Sequence, residues 1–159
     1  MTTLKKGDKA PHFKLFNSDK KEVSLDDFKG KNLIIHFFPL AFTGVCTTQL
    51  CTVRDAIGLY KNENADVVGI SIDSPPVLAK FKEEQKLQFD LLSDFNREVC
   101  TAYGAIHDVF PAWGLKGVAK RAAFVVDGNG IIQYAQVLDS PGDLPDFNAI
   151  NQALGQATA

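Results

Sequence analysis

Leu33-Ile-Ile-His36-Phe-Phe38-Pro39-Leu-Ala-Phe-Thr43-Gly-Val-Cys46-Thr-Thr-Gln-Leu-Cys51-Thr-Val-Arg54 is the stretch from which the fold can be read. Leu33 to Phe38 is a continuous apolar run, the pattern of a buried strand. Beyond Pro39 the spacing changes, and Cys46, Leu50, Val53, Ile57 and Tyr60 fall on one helical face. Thr43 stands where an N-cap belongs, just ahead of that run. The first long helix is therefore expected from about Gly44 to Lys61. Ala65 to Ile72, rich in valine and isoleucine, supplies the next strand. Two such strands joined by one helix make a right-handed parallel crossover unit.

Counted from Thr43, Cys46 lies in the first helical turn. Backbone N–H groups are unpaired there and the helix dipole is positive, so a thiolate is stabilised. The thiolate is the reactive form of cysteine. Position alone leaves two readings open: a reactive sulfur, or a small buried cysteine capping the core.

Outward from this unit, Pro11 to Val23 reads as a hairpin turning at Asn17-Ser18-Asp19. Ser24-Leu-Asp-Asp27 reads as a brief helical turn opened by a capping serine. Asp73-Ser74-Pro75-Pro76 opens a helix to about Lys86, proline being tolerated in a first turn. Phe89 to Leu92 is a short extended stretch, and Asn96 to Tyr103 a short helix ended by Gly104. Ala105 to Lys120 is a long loop carrying Val109, Phe110, Pro111, Trp113 and Leu115. These apolar groups either fold back on the body or form an active-site wall or subunit contact. Ala122 to Val126 and Ile131 to Val137 are strands joined at Asp127-Gly-Asn-Gly130, a hairpin sequence. The last helix lies within Asp143 to Gly155. No repeat, low-complexity block or linker divides the chain, and its 159 residues are expected to form one domain, 1–159, with a sizeable core.

The formal net charge is -2, which leaves no basic footprint for nucleic acid and no polybasic membrane anchor. The first ten residues are polar and lysine-bearing, without the apolar core of a secretory signal. No apolar run approaches a bilayer span. Three cysteines, an odd number, argue against a secreted disulfide framework and fit a cytoplasmic, reducing compartment.

Pro39, Thr43 and Cys46 stand as Pro-x-x-x-Thr-x-x-Cys, directly after a strand. This resembles the active-site signature of the peroxiredoxins, thiol peroxidases of thioredoxin-like fold. Arg121, in Lys-Arg121-Ala-Ala-Phe-Val-Val-Asp, resembles the family's active-site arginine at the start of a late strand. The order of elements follows the family from about Lys6 to Leu154. The resemblance implies an α/β, thioredoxin-like three-layer sandwich: a central mixed β-sheet flanked by helices, with an N-terminal hairpin extension.

It also implies roles. Cys46 attacks a hydroperoxide, releases water or an alcohol, and becomes a sulfenic acid. The Thr43 hydroxyl accepts a hydrogen bond from the peroxide or donates one to the thiolate. Arg121 brings fixed positive charge to the sulfur and to the departing oxygen; read without the resemblance, it is a strand-edge arginine paired to a surface carboxylate. Pro39, with no N–H, shapes the pocket without a competing donor. Phe38, Leu40 and Phe42 are either an apolar collar for the sulfur or core. No metal, haem or flavin is required, and thioredoxin or a similar thiol is the expected reductant.

Cys51 separates two subgroups. In the bacterioferritin-comigratory or Q type, a cysteine at this spacing often resolves the sulfenic acid as an intramolecular disulfide. Ala41-Phe-Thr-Gly-Val-Cys46 and the tail around Arg121 resemble instead the alkyl hydroperoxide reductase E type, described as one-cysteine enzymes. Five residues turn a helix by about 140° and advance it by about 7.5 Å, whereas disulfide-linked Cα atoms lie within about 6.8 Å. A Cys46–Cys51 bond therefore requires the first turns to unwind. Gln49 stands where the family usually has glutamate, which allows a hydrogen bond there but no charge. E-type relatives are commonly homodimers and Q-type relatives often monomers; the apolar 109–115 loop favours a homodimer.

Cys100, beside Val99 and Tyr103, reads as structural. His12, His36 and His107 are scattered without zinc-type spacing, and His36, inside an apolar strand, reads as a hydrogen-bonded core histidine. Arg54 either supports the cysteine helix or pairs with Asp55 in solvent. Two rival functions follow from the same residues. A disulfide exchanger would want Cys-x-x-Cys, where this chain has Cys-x-x-x-x-Cys. A redox-sensing or binding module would use Cys46 oxidation to signal through the Phe110–Trp113 loop without peroxidase turnover.

Overall fold

The computed structural model describes residues 3–158. A seven-stranded mixed sheet runs through it in the order β2-β1-β5-β4-β3-β6-β7. These strands are β1 Lys14–Asn17, β2 Glu22–Ser24, β3 Asn32–Phe37, β4 Ala65–Ser71, β5 Asp90–Ser93, β6 Ala122–Val126 and β7 Ile132–Val137. β3, β4 and β5 are mutually parallel, while β6 runs antiparallel to β3 and β7 antiparallel to β6. The N-terminal hairpin β1–β2 adds itself antiparallel to β5.

Alternation along β3 divides the interior. Ile34 and Phe38 join the core under helices α1 (Gly44–Asp55), α2 (Ile57–Asn62), α3 (Pro75–Gln85) and α5 (Phe147–Thr158). Leu33, Ile35 and Phe37 join the core on the other face, with Tyr103 and Cys100. That second face is covered by α4 (Glu98–Ala102) and the segment leading to β6. A strand buried on both faces reads as an unbroken apolar run, which is why Leu33 to Phe38 looks as it does. By the same parity His36 points to the α1 face. In β6, Ala123 and Val125 take that face while Ala122 and Phe124 take the other. Arg121, one residue before the strand, is therefore directed toward α1 as well.

The expected helix from Gly44 to Lys61 is two helices. It breaks at Ala56, whose N–H bonds to the Val53 and Arg54 carbonyls. Ile57 and Gly58 follow the break, and both are weak helix formers. α4 is shorter than expected because its entry is made by Arg97 in the left-handed region (φ 66). The Asp94 carboxylate then accepts the N–H groups of Val99 and Cys100. The last helix starts inside the expected span but continues to Thr158. The 105–120 loop is pinched by bridges Ile106–Ala119 and Val109–Lys116. Within it Phe110 folds back and is buried, whereas Val109, Trp113 and Leu115 are exposed.

Candidate active site

The carboxyl end of β3 delivers the chain to the site. Pro39 is buried, and the turn after it is held by Asp73 from the end of β4, whose carboxylate accepts the Ala41 N–H at 2.8 Å. The same oxygen accepts the Ser71 hydroxyl at 2.7 Å. Phe42 sits in the left-handed region (φ 67), uncommon for a residue with a Cβ, and its ring packs edge-on against Phe81. Phe38 belongs wholly to the core, while Phe42 is half exposed.

Thr43 is the N-cap of α1 in backbone conformation, but its side chain does not cap the helix. The hydroxyl donates instead to the Leu40 carbonyl at 2.7 Å. That removes one of the two roles the sequence allows. A hydroxyl has one proton, so Thr43 cannot also donate to a thiolate; its lone pairs remain available to accept.

Cys46 is the third residue of α1 and is 1 % exposed. Its N–H is among those an α-helix leaves without an intrahelical partner. Arg121 approaches from the start of β6, with Nη1 3.3 Å from Cys46 Sγ. Arg121 as a whole is 2 % exposed. Nη1 also donates to Gln49 Oε1 at 2.8 Å, and Nη2 donates to the Pro141 carbonyl at 2.8 Å. Arg121 is thus no strand-edge cation paired to a surface carboxylate. Helix α1 and the segment after β7, far apart in sequence, fix its plane.

Gln49, one turn beyond Cys46, is fully buried. Its amide nitrogen bonds to His36 Nδ1 at 2.9 Å and to the Phe37 carbonyl at 3.3 Å. Burial pushes the His36 imidazole from its ordinary 6.5 down to about 3, so the ring is neutral. The reading of His36 as a hydrogen-bonded core histidine stands, but its link through Gln49 to Arg121 is not visible in the sequence. The signal was present in strand parity, which puts His36 and Arg121 on one face.

Cys51 faces elsewhere. It is part-buried, with Sγ 3.4 Å from Gln85 Oε1 at the end of α3. Arg54 lies alongside, donating to the Gln85 carbonyl at 2.8 Å and to Asp55 at 3.0 Å. Both cysteines of α1 are free thiols. Cys100 is fully buried; burial, then the nearby Asp94, push its thiol well above the ordinary range. His12 and His107 lie outside this network. A cavity of about 530 Å³ opens at the opposite end of β3 and β6, walled by Leu33, Val126 and Asn129 among others, and does not touch Cys46. Among the described residues no group of three His, Cys, Asp or Glu side chains is placed to hold a metal ion. None of the helices among those residues is long and apolar enough to cross a membrane.

A buried cation on a helix-start sulfur, beside an unspent hydroxyl acceptor, suits attack by sulfur on a polar bond whose leaving atom becomes anionic. Comparisons with known proteins bear on which bond that is. A model of the AhpC/TSA family matches residues 6–135. The chain is 46% identical over 137 residues to a Mycobacterium tuberculosis protein assigned to the peroxiredoxins, covering 85% of this chain and 86% of that one. It is 38% identical over 141 residues to peroxiredoxin Bcp of Escherichia coli K12, covering 84% and 86%. Among solved structures, peroxidoxin BcpB of M. tuberculosis matches with a TM-score of 0.81 at 26% identity, over 97% of this chain and 96% of that one.

Proposed function

The chain belongs to the AhpC/TSA family and is a thiol-dependent peroxidase of the peroxiredoxin kind, and we propose that Cys46 is its attacking sulfur. The observation that carries this reading is the 3.3 Å approach of Arg121 Nη1 to Cys46 Sγ at the start of α1. The thiolate attacks one peroxide oxygen, and the O–O bond breaks. The departing oxygen leaves as hydroxide or alkoxide and takes a proton from solvent, giving water or an alcohol. Cys46 is left as a sulfenic acid. Thr43 accepts the O–H of the incoming hydroperoxide. Arg121 stabilises first the thiolate and then the negative charge that develops on the leaving oxygen. Pro39 closes the site from behind without adding a donor.

Cys51 is the resolving thiol. Its sulfur attacks Cys46 Sγ, water leaves, and the Cys46–Cys51 disulfide is reduced by thioredoxin or a similar dithiol. The bond cannot form on an intact α1, where Cys46 faces Arg121 and Cys51 faces Gln85. The composition of α1 favours the required opening. Gly44, Val45, Thr47, Thr48, Thr52 and Val53 are poor helix formers, and over its length the helix is on the order of 6 kcal/mol less favourable than polyalanine. Thr47, Thr48 and Thr52 each donate a hydroxyl to the carbonyl four residues back, a bond that weakens a helix slightly.

Hydrogen peroxide and organic hydroperoxides are both substrates in this reading, since half-exposed Phe42 offers an apolar edge to an alkyl group. The exposed Val109, Trp113 and Leu115 support a homodimer, which light scattering of the reduced protein tests. The protein works in the cytoplasm, without nucleic acid, membrane or cofactor. Stopped-flow consumption of peroxide tests the central role. Cys46→Ser should abolish it. Cys51→Ser should keep the first oxidation and lose thioredoxin-driven turnover.

A further inference from the structure

Arg121 is held by an amide that has no freedom to turn over. A guanidinium only donates, so Gln49 must present Oε1 to Nη1, 2.8 Å away. The amide nitrogen then faces β3, where its two protons meet the Phe37 carbonyl at 3.3 Å and His36 Nδ1 at 2.9 Å. An amide nitrogen does not accept, so Nδ1 must carry a lone pair and the imidazole proton sits on Nε2. A protonated ring would set two donors face to face. Full burial of His36 likewise holds the ring neutral; the choice of tautomer comes from the Gln49 amide alone.

The link is also uncharged. Among the described residues no carboxylate pairs with Arg121. Asp73, at the end of β4, is taken by the Ala41 N–H and by Ser71. A glutamine therefore orients the guanidinium without neutralising it, and the cation faces the sulfur undiminished. The position asks for both properties: an acceptor toward Arg121 and a donor toward β3. The Gln49 amide supplies both without an ionisable group, where an ionised glutamate would only accept.

We propose that His36 and Gln49 are positioning residues of the peroxidase site, a charge-free relay that fixes Arg121 on Cys46 while leaving its charge uncompensated. The relay rests on the reading of Cys46 as the attacking sulfur, and its test reads that sulfur without peroxide turnover. Wild type is compared with three variants whose folding is checked by circular dichroism. His36→Phe keeps a ring and removes the acceptor. His36→Asn offers an oxygen in place of Nδ1. Gln49→Met keeps length without an amide.

Iodoacetamide alkylation of Cys46 is followed by peptide mass spectrometry at pH 6.5 and pH 9. His36→Phe and Gln49→Met should slow alkylation about tenfold at pH 6.5 and approach wild type at pH 9, the pattern expected when the Arg121 charge is no longer held at Sγ. His36→Asn should match wild type at both. Purely structural damage would change both pH values equally. Wild-type alkylation at pH 6.5 in Gln49→Met, or His36→Asn behaving no better than His36→Phe, overturns the proposal. If His36→Phe fails to fold, His36→Asn and Gln49→Met decide it: His36→Asn must keep the wild-type ratio and Gln49→Met must lose it. Failure of the Cys46 reading shows separately, as peroxide consumption surviving Cys46→Ser.

Discussion

Arg121→Gln removes one positive charge from a point 3.3 Å from the sulfur while leaving a polar side chain behind. Two unit charges at that distance interact by about 5 kcal/mol at an effective dielectric of about 20. Water entering the emptied space recovers part of this, so a net loss of about 3 to 4 kcal/mol of transition-state stabilisation is expected, or about two to three orders of magnitude in rate. The assay is the second-order rate of peroxide consumption by stopped flow, with urea unfolding in parallel. Stability should not follow activity. Arg121 is 2 % exposed with an unpartnered Nε, and burying a guanidinium costs several kcal/mol that a neutral side chain avoids. Arg121→Lys should fall between, since a single ammonium cannot serve Cys46, Gln49 and Pro141 together. A well-folded Arg121→Gln within fivefold of wild type would refute the electrostatic argument. A variant losing rate and stability in proportion would make Arg121 a structural group.

Thr43→Val removes the acceptor and should slow peroxide consumption by about 10- to 100-fold with little change in stability, whereas Thr43→Ser keeps most of the rate; equal rates for both variants would remove Thr43 from the reaction. Oxidation by one equivalent of peroxide should produce the Cys46–Cys51 disulfide with a drop in helical circular dichroism at 222 nm, a drop absent in Cys51→Ser. An oxidised protein with the full helical signal would contradict the unwinding of α1. His36 predicts a pH effect on stability. Its folded value of about 3 lies below the unfolded 6.5, so the unfolded chain binds more protons between those limits and stability falls as pH drops below about 6.5. The slope from this group approaches about 1.4 kcal/mol per pH unit. Buried His107, also lowered by desolvation first and then by Lys120, adds in the same direction. Urea midpoints of wild type should therefore decline more steeply from pH 6.5 to 5 than those of His36→Asn; parallel curves would show that His36 does not titrate on unfolding.

Strands β3, β4 and β6 are legible in the sequence because burial on both faces leaves runs of apolar residues; the edge strand β7 is mostly half-buried and is marked instead by the hairpin sequence Asp127-Gly-Asn-Gly130 ahead of it. The start of α1 is legible for a different reason: Thr43, a residue type favoured at N-caps, stands at a change of period and takes the N-cap position, although its hydroxyl bonds elsewhere. The break at Ala56 is not, because Cys46, Leu50, Val53, Ile57 and Tyr60 keep one helical spacing straight through it. The site divides the same way. Pro39, Thr43 and Cys46 are neighbours in sequence and can be found as a pattern. Arg121 reaches Cys46 across 75 positions, and in the sequence only the family resemblance singles it out. Gln49, His36 and the Pro141 carbonyl join the network through side-chain bonds between elements, which no local pattern encodes. The direction of the Thr43 hydroxyl belongs to the same class, since it depends on where the Leu40 carbonyl lands.

The most direct measurement traps the oxidised sulfur itself. Cys51→Ser protein is treated with one equivalent of hydroperoxide in the presence of dimedone, and the adduct is mapped by peptide mass spectrometry. The geometry of Cys46 and Arg121 predicts a single adduct on Cys46, with Cys100 unmodified. Adduct on Cys100 with Cys46 recovered as free thiol would contradict it.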